Sequence, residues 1–233
     1  MPPKYIKYID QPTPIDIIIP CAGLGRRMKS YGPKSLIVIK KNLRIIDNQL
    51  KLLKKHFPTA NIILVTGFES DAVMNSTPMD IVKIENENYD TTNVIRSIGM
   101  GLRASTRDVL IVYGDLIFNN ACLELDFNHS SLMIGESLMK QNEIGCVFNK
   151  RMYLENMMYD LPHKWSQMAF FKGIELEMLK KISWDKENYN MFGFEAINKI
   201  LSQGGKFKCI FNKNAKCIDI DNSKDLTYVR EII

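Results

Sequence analysis

Three apolar runs constrain the fold of this chain more than any other feature. They are "IDIIIP" at 15–20, "NIILVTG" at 61–67 and "DVLIVYGD" at 108–115. Each is short, rich in β-branched residues and continuous rather than alternating. A strand that is apolar on both faces must be covered on both, which is the situation of a parallel sheet between layers of helices. The intervening segments supply the helices. In "RIIDNQLKLLKKHF" Ile46, Leu50, Leu53 and Phe57 recur at helical spacing, and "NVIRSIGMGL" places Val94, Ile98 and Leu102 on one helical face. "LIVI" at 36–39 and "IVKIEN" at 81–86 read as shorter strands. The alternation predicts an α/β fold, with a Rossmann-like, mixed but mostly parallel sheet flanked by helices.

After residue 125 the pattern changes. "SLMIGES", "IGCVFNKRMYL" and "WSQMAFFKG" read as strands with little helix between them, and predict an antiparallel extension of the sheet or a lid. Helices are expected at "IELEMLKKI" and "NMFGFEAINKILSQ", strands at "KFKCIF" and "CIDID", and a closing helix at "SKDLTYVREII". Residues 1–14 contain four prolines and no periodicity, and read as an N-terminal arm. At 233 residues, the remainder, 15–233, is expected to form a single domain.

The charge balance is mild, +5 from 31 basic and 26 acidic residues, and suits anionic small molecules better than nucleic acid. The five cysteines are scattered, with no C-x-x-C pair, which argues against a zinc site or a disulfide framework and for a reduced, cytoplasmic protein. No apolar stretch approaches membrane-spanning length, so no membrane partner is expected.

The first strand runs into "CAGLGRRMKSYGPKS". Open α/β sheets bind ligands at such strand ends. The dinucleotide pattern G-x-G-x-x-G fails because Met28 occupies the last position, and the P-loop spacing fails because Pro33 separates Gly32 from Lys34. What remains is A-G-x-G-x-R-M followed by P-K. Gly23 and Gly25 let a backbone approach a triphosphate closely. Arg27 offers a fork of donors for phosphate oxygens, and Lys34, presented by Pro33, a point charge.

"AGLGRRM" with "PK" resembles the signature of the nucleotidyltransferase superfamily, which includes sugar-1-phosphate nucleotidylyltransferases and small cytidylyltransferases. The resemblance implies that Ala22, Gly23, Leu24, Gly25, Arg27 and Lys34 bind a nucleoside triphosphate, with Arg27 and Lys34 catalytic. Cys21 departs from the small residue usual there. Triphosphate chemistry needs a divalent cation, and magnesium is commonly held by one or two carboxylates plus phosphate oxygens. Asp115 in "VYGD" matches the superfamily's metal position and also belongs to the nucleotide site. "DIDNSKDL" is similar to E-[IV]-D-x-x-x-D-L, which makes Asp221 the second magnesium ligand; Asp221 or Asn222 can also cap the following helix.

"ENENYDTTNVIRSIGMGL" resembles the loop of CTP:phosphocholine-type cytidylyltransferases, with Asn93 and Ser97 matching and Val94 and Ile98 departing. It implies that Asn93 and Ser97 face the nucleotide, that CTP is the donor, and that the acceptor is a small phosphorylated or phosphonate compound such as phosphocholine, an aminoalkyl phosphonate or a phosphorylated amino acid. Pyrophosphate would leave, and the product would serve surface polysaccharide or lipid decoration. Residues 126–195 become the acceptor-binding region. Glu195 with Trp165 or Tyr189 would hold a cationic head group, and Arg151, His163 and Lys164 are available for an anionic one. Two alternatives remain open: transfer to a sugar 1-phosphate from UTP, dTTP or another triphosphate, and a nucleotide-binding subunit without catalysis. The expected partners are small molecules, in a monomer or homodimer.

Overall fold

The computed structural model describes residues 14–25, 32–135 and 143–232. The arm expected at 1–14 therefore lies almost wholly outside the described residues, and Arg27 lies outside them as well. The chain opens with β1 (Asp16–Pro20), then β2 (Val38–Lys40), β3 (Leu43–Arg44), α1 (Ile45–His56), β4 (Asn61–Thr66), α2 (Ser70–Asn75), β5 (Val82–Glu85), α3 (Val94–Arg103) and β6 (Val109–Val112). It continues with β7 (Leu116–Phe118), β8 (Ser131–Gly135), β9 (Ile144–Phe148), β10 (Leu154–Tyr159), β11 (His163–Phe171), α4 (Gly173–Trp184), α5 (Gly193–Ser202), β12 (Lys208–Phe211) and β13 (Cys217–Asp219).

Among the described residues nine strands form one mixed sheet in the order β10-β9-β11-β6-β1-β4-β5, with β8 paired to β11 and β12 paired to β8. The β6-β1-β4-β5 portion is parallel. β11 lies antiparallel to β6, and β9 and β10 continue the antiparallel edge. The region after 125 thus extends the main sheet. β1 explains the layering. Ile18 packs with Ile63, Ile111 and the helices α3, α4 and α5 on one face. Ile17 and Ile19 pack with Leu64, Leu110 and α1 on the other. A strand in this position needs apolar residues at every step, which is the pattern its sequence shows.

The chain leaves β1 toward β4 and β5 on one side, then returns to place β6 on the other. The reversal opens a crevice at the carboxyl ends of β1 and β6. A smaller antiparallel pair, β7 with β13, brings the end of the chain to the same place. One local expectation shifts. "LIVI" is a 3-10 turn at Lys34–Leu36 followed by the short β2, because the chain must turn to present Lys34 before it can extend. "SKDLTYVREII", expected as a closing helix, is helical over Ser223–Glu231 with 3-10 winding. Among the described residues no helix is long and apolar enough to cross a membrane.

Candidate active site

The loop after β1 is stitched to its neighbours by backbone bonds. Cys21 N–H donates to the Val65 carbonyl at 2.8 Å, Phe68 N–H to Ala22 at 3.1 Å, and Gly114 N–H to Pro20 at 3.1 Å. Gly114 is required by close approach: a Cβ there would lie 2.5 Å from the Cys21 Cβ. The turn after β6 can therefore lie directly on the loop after β1. Gly25 has φ +53°, and a Cβ would meet the Lys34 stem at 3.1 Å. Burial pushes the Cys21 thiol up to about 12, so it stays neutral beneath the loop.

Lys34 joins the two carboxylates expected at the metal site. Its Nζ donates to Asp115 Oδ2 at 3.0 Å and to Asp221 Oδ1 at 2.7 Å, across sequence separations of 81 and 187 residues. Ile220 N–H donates to the Asp115 carbonyl at 3.1 Å, fastening the exit of β13 to the Asp115 turn. The buried Asp225 carboxylate accepts from the backbone N–H groups of Asp221 and Asn222, both at 2.9 Å. Asn222 caps the final helix by accepting from Lys224 N–H. The cap duty falls to Asn222, and the Asp221 side chain turns to Lys34.

Burial alone would push the Lys34 ammonium down, but Asp115 and Asp221 outweigh it, and the net shift is upward. Lys34 is a fixed positive charge, not a proton donor near neutral pH. Burial raises the Asp115 carboxyl and the nearby Asp219 and Asp221 add to that; Lys34 opposes them. Such a corner stabilises a cation. The donor set fits magnesium. Two hard carboxylates already face one cation, and the described residues contain no cluster of three or more His, Cys, Asp or Glu side chains that could hold an ion alone. A magnesium site of this kind completes its shell with phosphate oxygens and water.

Beside this corner, the cleft between the β1 loop and α3 is lined by Ala22, Gly23 and Gly25, and by Asn93 and Ser97. Leu24 lines the wider part of the same depression. Asn93 is also the N-cap of α3, its side chain accepting from Val94 N–H at 2.8 Å. Asn86 was not anticipated. It is buried at the end of β5 and donates to Ser97 Oγ at 3.1 Å and Thr92 Oγ1 at 3.2 Å. An asparagine closing the short strand "IVKIEN" was the available signal.

The wider cleft holds a second ionic cluster. Lys164 Nζ donates to Glu143 Oε1 at 2.6 Å and Asp219 Oδ1 at 3.2 Å, with side chains only 7%, 10% and 13% exposed. Burial pushes this ammonium down, and Asp219 and Glu143 more than offset it. Lys164 is the member of the anionic-group trio that faces the cleft.

The residues expected to hold a cation divide. Trp165 lines the cleft, with Nε1 donating to the Met168 carbonyl and its ring edge-on to Tyr113. Glu195 is engaged elsewhere: its carboxylate accepts from Phe192 N–H at 2.7 Å and caps α5. Tyr189 supports the start of α3, where its carbonyl accepts from Asn93 N–H and its ring and hydroxyl receive Arg96. Neither is among the described residues lining the cleft. Tyr159, Phe192 and Phe194 line it instead, with Phe194 edge-on to Tyr159 and stacked on Phe192.

Residues 17–125 match the family described as the MobA-like NTP transferase domain. No curated protein matches the chain by sequence. Among solved structures, a CTP:phosphocholine cytidylyltransferase from Streptococcus pneumoniae superposes with a TM-score of 0.75 at 16% identity, covering 94% of this chain and 98% of the other. An inositol-1-phosphate CTP transferase from T. maritima gives 0.75 at 16% identity, covering 95% and 98%. A nucleoside-diphosphate-sugar pyrophosphorylase from Vibrio cholerae gives 0.69 at 12% identity, covering 92% and 99%. At these identities the likeness is one of fold. Residues 17–125 thus resemble the MobA-like NTP transferase domain, within a chain whose whole fold is shared with these solved nucleotidyltransferase structures.

Proposed function

We propose that the protein is a nucleotidyltransferase that moves CMP from CTP to a small phosphorylated or phosphonate acceptor bearing an ammonium group. The observation that carries this reading is Lys34 shared between Asp115 and Asp221 at the edge of the glycine-loop cleft. An acceptor oxyanion attacks the α-phosphorus. The bond from that phosphorus to the bridging oxygen of the β-phosphate breaks, and pyrophosphate leaves. The nucleophile is already an anion, so no general base is needed; catalysis is positioning and charge stabilisation. Lys34 stabilises charge at the α-phosphate, and the loop around Gly23–Gly25 and Arg27 holds the triphosphate. Asp115 and Asp221 would hold magnesium, which when bound supplies charge neutralisation along the triphosphate. Asn93, Ser97 and Asn86 surround the space for the nucleoside.

Tyr159, Phe192 and Phe194 present aromatic faces and edges to the wide cleft, and carboxylates outnumber lysines among its described lining residues. An ammonium is attracted to both. Cytoplasmic location and a monomer or homodimer remain part of this proposal.

Pyrophosphate release measured over the four common ribonucleoside triphosphates and dTTP, against phosphocholine, 2-aminoethylphosphonate, phosphoserine and glucose 1-phosphate, tests the reading. Turnover should require CTP and a zwitterionic acceptor. Phe192→Ala should raise the acceptor KM and leave that for CTP nearly unchanged. Turnover of glucose 1-phosphate with UTP or dTTP, and none of any zwitterion with CTP, would establish the sugar alternative instead.

A further inference from the structure

Gln49 lies in α1, is 0% exposed, and touches neither the glycine-loop cleft nor the wide cleft. Its side-chain Nε2 donates to the Tyr113 carbonyl at 2.9 Å and to the Leu116 carbonyl at 2.8 Å. These two carbonyls bracket Asp115. Both amide protons are used, and the opposite orientation of the amide would set its oxygen against two carbonyl oxygens, so the acceptors dictate the assignment. Gln49 Oε1, by contrast, has no hydrogen-bond partner among the described residues. On the same helix Ile46, Leu50 and Leu53 are buried in an apolar cluster. A leucine would fill such a place without an unpaired buried oxygen. What accounts for the glutamine is the work of its two donors.

We infer that Gln49 is the positioning residue for Asp115: it clamps the Tyr113–Leu116 turn so that the Asp115 carboxylate faces Asp221. The inference rests on the reading of these two carboxylates as a cation site. Leu116 N–H closes the turn on the Tyr113 carbonyl at 3.3 Å, and the turn is also tethered by Gly114 N–H to Pro20 and Ile220 N–H to the Asp115 carbonyl. The last two hold its sides. Gln49 fixes its two ends from beneath. Partners outside the ligand shell that orient a metal ligand commonly matter about 10–100-fold in metal affinity.

The test is Mn²⁺ binding, followed by the electron paramagnetic resonance of the free ion, to the full chain with an α,β-methylene analogue of CTP. Gln49→Met keeps length and apolar volume and removes both donors. It should weaken Mn²⁺ binding at least about 10-fold, and raised Mg²⁺ should restore a large part of its kcat. Equal Mn²⁺ affinity in a folded Gln49→Met protein overturns the inference and leaves the functional reading intact. A wild-type protein that holds no Mn²⁺ overturns both. If Gln49→Met does not fold, the wild-type protein decides by nuclear magnetic resonance. The Gln49 side-chain amide protons should exchange slowly and shift when Mg²⁺ and the analogue are added. Fast exchange, or resonances unmoved by Mg²⁺, overturns the clamp.

Discussion

Lys164→Met probes the architecture most directly. Lys164 ties three distant segments together: the residue before β9 through Glu143, its own strand β11, and the end of β13 through Asp219. All three side chains are nearly out of water, so the ion pairs are poorly screened. Methionine fills the stem's volume and removes the charge with its two hydrogen bonds. Removing one partner of a buried ion pair costs about 3–5 kcal/mol, because the remaining charge is left buried and uncompensated. For a chain of this length each kcal/mol lowers Tm by about 2–4 °C, so the variant should melt about 6–20 °C lower. Circular dichroism on heating and urea unfolding measure the two quantities. The companion variant, Lys164→Met with Glu143→Gln, removes one of the carboxylates that Lys164 pairs and should recover part of the loss, a coupling of about 0.5–3 kcal/mol. A single variant within about 1 kcal/mol of wild type, or a double variant no more stable than the single, would refute the reasoning.

Lys34→Met should lower kcat by at least about 100-fold while the KM for CTP changes little, since its charge acts where charge develops; a near-normal kcat would remove its catalytic role. Asp115→Asn and Asp221→Asn should each abolish most turnover and weaken Mn²⁺ binding, with unfolding midpoints near wild type; unchanged Mn²⁺ affinity would exclude them as ligands. Gly114→Ala should destabilise by about 1–3 kcal/mol in urea, because its methyl meets Cys21, and Cys21→Gly should return part of it. Burial raises the Asp47 carboxyl, but the side-chain and backbone bonds from Arg44 outweigh it and hold the group below its ordinary value. Its contribution is therefore present above the unfolded value of about 3.9 and disappears as pH falls through the lower folded value. Asp47→Asn should cost about 0.5–1 kcal/mol at pH 7 and converge with wild type in acid, as read from urea midpoints.

Much of this protein was determined locally, and those parts were legible. A strand covered on both faces needs apolar residues at every step, so β1, β4 and β6 announce a parallel sheet in their composition. An amphipathic helix writes its buried face at a fixed spacing, as α1 and α3 do. Gly114 before Asp115 marks where two backbones crowd, and Gly25 after β1 marks a loop position at φ +53°. The closing segment was less legible, since only tertiary contacts decide between a 3-10 and an α-helical winding of 223–231.

The tertiary structure alone decided which side chains meet. Lys34, Asp115 and Asp221 converge because β1 and β6 are neighbours and β13 pairs with β7, long-range pairings that no local pattern encodes. Glu143, Lys164 and Asp219 meet for the same reason. Glu195 and Tyr189 looked available in the sequence because a carboxylate and an aromatic ring carry no sign of their engagement; folding commits one to a helix cap and the other to Arg96. Gln49 is the converse case. Within an amphipathic helix it reads as a polar residue on the margin, and only the packing of α1 beneath the β6 turn gives its two donors something to hold.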